Sequence, residues 1–332
     1  MRLATLTASL LLPATLFAQD LEQVTRTHIL PRFAQLATAS DALADTARAE
    51  CDPQAPQLRQ AYYAAFDAWI SASHLRFGPS EVEDRAFALA FWPDTKGFTG
   101  KALSQLIATA DPVIYKPEDF AETSVAERGF FALERLLYDE DLAAQAEADY
   151  RCSLIRAISV DIDRNADAIN ADWQSYALLL EQPGENSPYR NTDEATQEIY
   201  KALITGLEFT GNTRLGRPLG SFDRPRPNRA EARRSERSAR HVVLSLIALR
   251  DLAAHLALDH PDVATALEAG FADAIERAQA LDDPALAGVA DPAARFRIEA
   301  LQQAVLDIHA TASGALGPKL GISAGFNSLD GD

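Results

Sequence analysis

The chain has 332 residues, 47% of them hydrophobic and 24% charged, and carries a formal net charge of −17. That length suits one large domain or two of ordinary size. The acidic balance disfavours nucleic acid and anionic lipid surfaces as partners and suits cationic ones.

In chain order, residues 1–18 read as an export signal. Arg2 supplies a minimal positive start, Leu3 to Leu16 an apolar stretch, and Leu16-Phe17-Ala18 a cleavage site before Gln19. No cysteine follows the apolar run, so no lipid anchor is expected, and no later stretch is long and apolar enough to span a membrane. A soluble, exported protein is the expectation. Cys51 and Cys152 lack the close spacing of a redox or zinc motif. In an oxidising compartment such a lone pair is expected to form a disulfide, the alternative being two buried thiols.

Strand signals are almost absent, and long segments rich in Ala, Leu, Glu and Arg carry helical periodicity. Helices are expected near 21–50, 56–77, 101–110, 125–138, 143–180, 193–210, 228–258, 261–281 and 292–314. Phe77-Gly78-Pro79 and Leu215-Gly216-Arg217-Pro218 are expected helix stops, because each pairs a glycine with a proline soon after. The run Gln182-Pro183-Gly184-Glu185-Asn186-Ser187-Pro188 marks a boundary between halves at 19–182 and 183–332. The two sides look distantly repeated, since in each a helix with a large aromatic (Trp69, Phe209) leads into one of those stops. An all-α fold of two related helical bundles packed against each other is the expectation. The tail from Leu316 to Asp332 is expected to be non-helical, and is either anchored on a bundle by Phe326 or a disordered end.

Two polar features stand out from this apolar pattern. In Gly129-Phe130-Phe131-Ala132-Leu133-Glu134, the carboxylate of Glu134 falls inside the stripe made by Phe130, Leu133 and Leu137. An ionised group there requires a cation or hydrogen-bond donors. On the expected helix 228–258, Arg229, Arg233, Arg237 and Arg240 share one face, while Glu231, Ser235 and Ser238 point inward with Val242, Leu246 and Leu249. The inward set reads either as a ligand site at the mouth of a bundle or as an N-terminal turn satisfying its own backbone donors. The arginine stripe, with Arg224 and Arg226 before it, suits pairing with acidic residues of a neighbouring helix more than anion binding. Trp92-Pro93-Asp94 is a turn that lines a pocket or wedges a loop. The six histidines are scattered, and each reads as a surface or satisfied core residue.

Several segments together resemble the imelysin family of periplasmic helical proteins. They are Trp69 through Pro79, Phe91-Trp92-Pro93-Asp94, Gly129 to Glu134, Arg229-Ala230-Glu231 with Ser235 and Ser238, and the tail from Leu320 to Asp332. Gly129 and Glu134 match the family's Gly-x-His-x-x-Glu signature, and Phe131 stands at its histidine. The resemblance implies an all-α fold of two pseudo-repeated, four-helix-bundle-like halves with a cleft between them, a periplasmic or surface location, an association with iron acquisition, a peptidase label and metal binding near the signature. A phenylalanine cannot coordinate a cation, so catalysis is not expected. The resulting expectation is a non-catalytic binding or accessory component in iron or other metal acquisition, with Glu134, Glu231, Ser235, Ser238, Trp92 and Asp94 lining the cleft. Its ligand would be a small molecule or a cation, iron or another divalent ion, with Glu134 the carboxylate to face it. A partner protein of an iron-uptake system also fits. An imelysin-type metallopeptidase and a periplasmic protein-binding scaffold with a vestigial cleft stay open as alternatives.

Overall fold

The computed structural model describes residues 21–185 and 188–322. The expected leader and the anchoring role of Phe326 lie outside them. Among the described residues the regular structure is helical, with one isolated bridge between Ser221 and Arg224. The all-α expectation holds.

The first long helix, α1, spans Leu30–Ala49 and is preceded by a π-helical turn at Thr25–Ile29. Then follow α2 (Pro56–Ala72), α3 (Phe98–Thr109), α4 (Gly129–Tyr138) and α5 (Ala148–Glu181). After the Pro-Gly linker come α6 (Thr192–Glu208), α7 (Ser238–Leu256), α8 (Pro261–Gln279) and α9 (Pro292–Thr311). The starts have local causes. Proline stands in the first turn of α1, α2, α8 and α9, where its missing N–H costs nothing. Asn191 and Asp291 cap α6 and α9 by accepting hydrogen bonds from Glu194 N–H and from Ala293 and Ala294 N–H.

Helix α1 packs against α5 and α2, and α4 lies on α5. Phe33 of α1 stacks on Trp173 of α5 with ring centroids 5.2 Å apart. In the later part α7 packs on α8, α8 on α9, and α6 on both α7 and α9. Helices α2 and α7 pack directly on each other and join the two sets. Cys51 and Cys152 form a disulfide with Cα atoms 5.1 Å apart, tying the end of α1 to the start of α5. Closing a loop of that length stabilises the fold by roughly 4 kcal/mol in the chain-entropy picture. Among the described residues no helix is long and apolar enough to cross a membrane.

Three expectations about boundaries are corrected. Helix α2 ends at Ala72, and the Gly78-Pro79 stop belongs to a separate 3-10 turn at Gly78–Ser80. At Gly216 the chain does not stop. It passes through a π-helical turn, Phe209–Leu215, into a helical turn at Gly216–Leu219, and ends at Gly220 with φ 57°. The tail likewise begins with a π turn at Ala312–Leu316 and a short helix at Gly317–Lys319.

The largest correction concerns the helix expected from Asn228. Regular α-helix begins only at Ser238. Residues 230–237 form successive turns, with left-handed backbone at Ala232 (φ 46°) and Glu236 (φ 57°). The cause lies in the bonds made there. In a helix, Ser235 N–H would donate to the Glu231 carbonyl. Instead Ser235 N–H donates to Glu134, and the Ser238 hydroxyl donates to the Glu231 carbonyl at 2.5 Å.

Candidate functional site

Glu134 is 2% exposed on α4, among Phe130, Leu133 and Leu137, which are buried. Its Oε1 accepts two hydrogen bonds from one residue, Ser235 N–H at 3.0 Å and Ser235 Oγ–H at 2.7 Å. Charge-assisted bonds of this kind offset the desolvation of a buried carboxylate. The carboxylate on α4 is thereby bound to the turn segment that precedes α7.

Gly129 makes this placement available. Its φ is +74°, and a Cβ there would lie 2.2 Å from the Ala88 carbonyl oxygen and 2.3 Å from that of Leu89. Only glycine lets the chain enter α4 so close to another backbone segment. Two residues on, Phe131 stacks on Trp92 (centroids 6.3 Å) and meets Phe66 edge-on (5.2 Å). Trp92 in turn meets Phe209 edge-on at 5.8 Å. The histidine position of the expected signature is therefore part of an aromatic wall.

Two cavities share Trp92 and Phe131 in their linings. The smaller, about 130 Å³, contains Glu134 and Asp94. Both Asp94 oxygens are engaged, accepting from the N–H groups of Phe98 and Thr99 at the start of α3. Burial raises the Asp94 pKa, but these donors outweigh it and hold the carboxyl below its usual range. The larger cavity, about 310 Å³, is bounded by α2, α6 and the π turn that follows α6, with Glu231, His74 and Ser245 among its polar groups. Ser235 and Ser238 line neither cavity, and act behind the walls as hydrogen-bond links.

Glu231 is 4% exposed and its Oε2 accepts from Arg214 Nε–H at 2.8 Å and from His241 Nδ1 at 3.1 Å. Burial pushes its pKa up, but the Arg214 guanidinium and His241 outweigh that and bring it down to about 2. Arg214 also donates to Ser73 Oγ at 3.3 Å, so this buried ion pair reaches from the later helices to the end of α2. Of the arginine stripe, Arg237 and Arg240 pair with Asp67 on α2, as expected for a neighbouring helix. Arg229 and Arg233 do not. They line the smaller cavity instead.

Sequence reasoning missed Arg214, His241 and a second buried chain. Asp251 Oδ2 accepts from His28 Nδ1–H at 2.7 Å, and His28 Nε2 lies 2.8 Å from His74 Nε2. A neutral His28 that donates through Nδ1 carries its lone pair on Nε2, so His74 donates through Nε2 and keeps its own lone pair on Nδ1. That His74 Nδ1 is buried and has no partner. Burial lowers His28 to about 4 and His74 well below 6.5, against the pull of Asp251 on His28.

A pH dependence follows. The folded pKa of His28, about 4, lies below its ordinary 6.5, so the unfolded chain takes up the proton first. Stability present above 6.5 is therefore lost as the pH falls toward 4. The expected loss from His28 alone is on the order of 3 kcal/mol. Urea unfolding across that window measures it, and His28→Asn should flatten the profile. An unchanged slope in that variant contradicts the assignment.

As to metals, Phe131 offers no lone pair. Among the described residues no group of three or more His, Cys, Asp or Glu stands close enough to hold an ion. The side chains at the signature do not fit a His–Glu metal centre.

The described residues form an all-α fold, and the sequence matches the model of one protein family. The chain belongs to that family, imelysin: the family model described as Peptidase_M75: Imelysin matches residues 29–312. Iron-regulated protein A of Synechococcus elongatus is 24% identical over 275 residues, covering 76% of this chain and 71% of that protein. An imelysin-like protein from Psychrobacter arcticum 273-4 has a crystal structure that matches with a TM-score of 0.78 at 22% identity, over 96% of this chain and all of that one (100%). The crystal structure of a putative iron-regulated protein A precursor from Parabacteroides distasonis also gives 0.78, at 14% identity, over 94% of this chain and 97% of that one. These structures establish the common fold.

Proposed function

We propose that the protein is an exported, non-catalytic binding or accessory component of iron acquisition, working in the periplasm. Family membership and the names of its relatives support the iron-related role. The Cys51–Cys152 disulfide is in keeping with an oxidising compartment. The residues before and after the 182/183 boundary act as two halves, and the cavities at their seam receive the ligand. Trp92, Asp94 and Glu134 line one of these cavities, and Trp92 with Glu231 the other. Ser235 and Ser238 hold the seam together.

A single observation carries the non-catalytic part. At the signature, Phe131 replaces an imidazole with a ring stacked on Trp92, while Glu134 Oε1 is occupied by Ser235. A hydrolytic zinc site needs several protein ligands and an open water position. The test combines two measurements. Purified protein is expected to show no chelator-sensitive proteolysis, and deletion of the gene is expected to impair growth under iron limitation. Chelator-sensitive cleavage that disappears in Glu134→Gln overturns the non-catalytic reading. Normal growth of the deletion strain under iron limitation overturns the iron role.

A further inference from the structure

The smaller cavity beside Glu134 is dominated by cations, although the whole chain is strongly acidic. Five arginines line it: Arg135, Arg217, Arg229, Arg233 and Arg234. Its two carboxylates are bound to neutral donors, Asp94 to the start of α3 and Glu134 to Ser235. Among the described residues neither forms an ion pair with an arginine within 4.0 Å, although Glu134 attracts Arg135 and Arg233 at longer range and Asp94 attracts Arg135.

The carboxylate that pairs with the cavity's arginines within 4.0 Å is shared between two of them. Asp139 lies 3.1 Å from Arg135 and 3.1 Å from Arg234. Arg217, Arg229 and Arg233 have no carboxylate within 4.0 Å among the described residues. Arg217 is half-buried, its Nε is fully buried and without a partner, and its guanidinium lies 5.9 Å from the centre of the Trp92 ring. Burial and the neighbouring guanidinium groups depress the pKa of both Arg217 and Arg233. Crowded guanidinium groups repel one another, and an anion between them relieves that repulsion while filling their donors in pairs.

We propose that this cavity is an anion site for a small polycarboxylate, held by Arg217, Arg229 and Arg233 against the Trp92 ring. Each carboxylate takes paired N–H donors from a guanidinium. Asn228 and Arg229 are exposed at the rim, so a ligand larger than the 130 Å³ interior extends into solvent. The same chemistry is offered by a free di- or tricarboxylate and by a metal ion wrapped in one. The second source rests on the iron reading, and would let the protein carry iron without a metal ligand at position 131.

Citrate and ferric citrate are the probes, titrated calorimetrically into the full chain. Citrate is expected to bind, and Arg217→Gln or Arg233→Gln is expected to weaken it roughly tenfold each, the effect of losing a charge-assisted contact. Arg229→Gln changes an exposed residue and tests the site without risk to folding. Arg250→Gln, which removes an equal charge from the exposed pair with Glu268, is expected to leave binding unchanged. No citrate binding, or binding that survives the combined Arg217→Gln and Arg233→Gln change, overturns the inference. Tighter binding of ferric citrate identifies the chelate as the occupant. Equal binding of the two keeps the carboxylate site and removes its link to iron.

Discussion

Replacing Arg214 by alanine is expected to destabilise the protein by about 3–5 kcal/mol, the usual cost of breaking a buried ion pair by removing one partner. Glu231 would keep only His241 on its Oε2, at 4% exposure. The loss should also alter the acid limb of stability. Because the folded pKa of Glu231 is depressed to about 2, its contribution is present above 4.5 and is lost as the pH falls toward 2. Without Arg214, burial acts with less opposition and the loss moves to higher pH. A double-mutant cycle with Glu231→Gln should show the two changes costing less together than their sum. A loss below about 1 kcal/mol by urea unfolding would show that the pair does not hold the seam.

Gly129→Ala is expected to cost about 3 kcal/mol or more. Left-handed backbone with a Cβ costs about 1–2 kcal/mol, and overpacking adds about 1–3 kcal/mol. Here the added carbon would stand 2.2 Å from a backbone carbonyl oxygen, which cannot rotate away. Gly97→Ala supplies the contrast. Its φ is +68°, but nothing lies within 4 Å of the added Cβ, so only the conformational term applies. Thermal unfolding of the two variants separates crowding from backbone strain, and equal losses would refute the packing argument. Because Gly129 opens α4, its variant should also move Glu134 away from Ser235, which near-UV circular dichroism of the surrounding aromatics reports.

Much of the architecture was legible from local pattern. The helical period of 21–50 and 143–180 and the helices read near 261–281 and 292–314 are all short-range signals, and each has its counterpart in α1, α5, α8 and α9. The burial of Glu134 was legible for the same reason, since i, i+3 and i+7 apolar neighbours place it on the inner face of a helix. Residues 228–237 were misread because their composition favours helix while their hydrogen bonds go elsewhere. A donor such as Ser235 N–H goes to the strongest acceptor the tertiary structure brings near. Here that is a buried carboxylate 101 positions away in sequence. In the same segment Glu231, Ser235 and Ser238 are buried as expected, although the helix on which that expectation rested begins only at Ser238.

Arg214 and the Asp251–His28–His74 chain left weaker traces. Arg214 sits in a segment whose glycine and proline read as a helix stop, and the π-helical turn that turns it inward has no distinct sequence signature. His28, His74 and Asp251 come from the π-helical turn before α1, the segment just after α2, and α7, so no spacing along the chain links them.

The sequence by itself determined the all-helical architecture, the family, and the presence of one carboxylate in an apolar face preceded by a required glycine. These follow from periodicity and steric rules that operate within a few residues. Only the tertiary structure decided what that carboxylate meets. It placed Ser235 on Glu134, Arg214 and His241 on Glu231, and a cluster of arginines around the neighbouring cavity. The physical reason is that the charge state and partners of a buried polar group depend on which distant segments desolvate it, and helical periodicity carries no information about that.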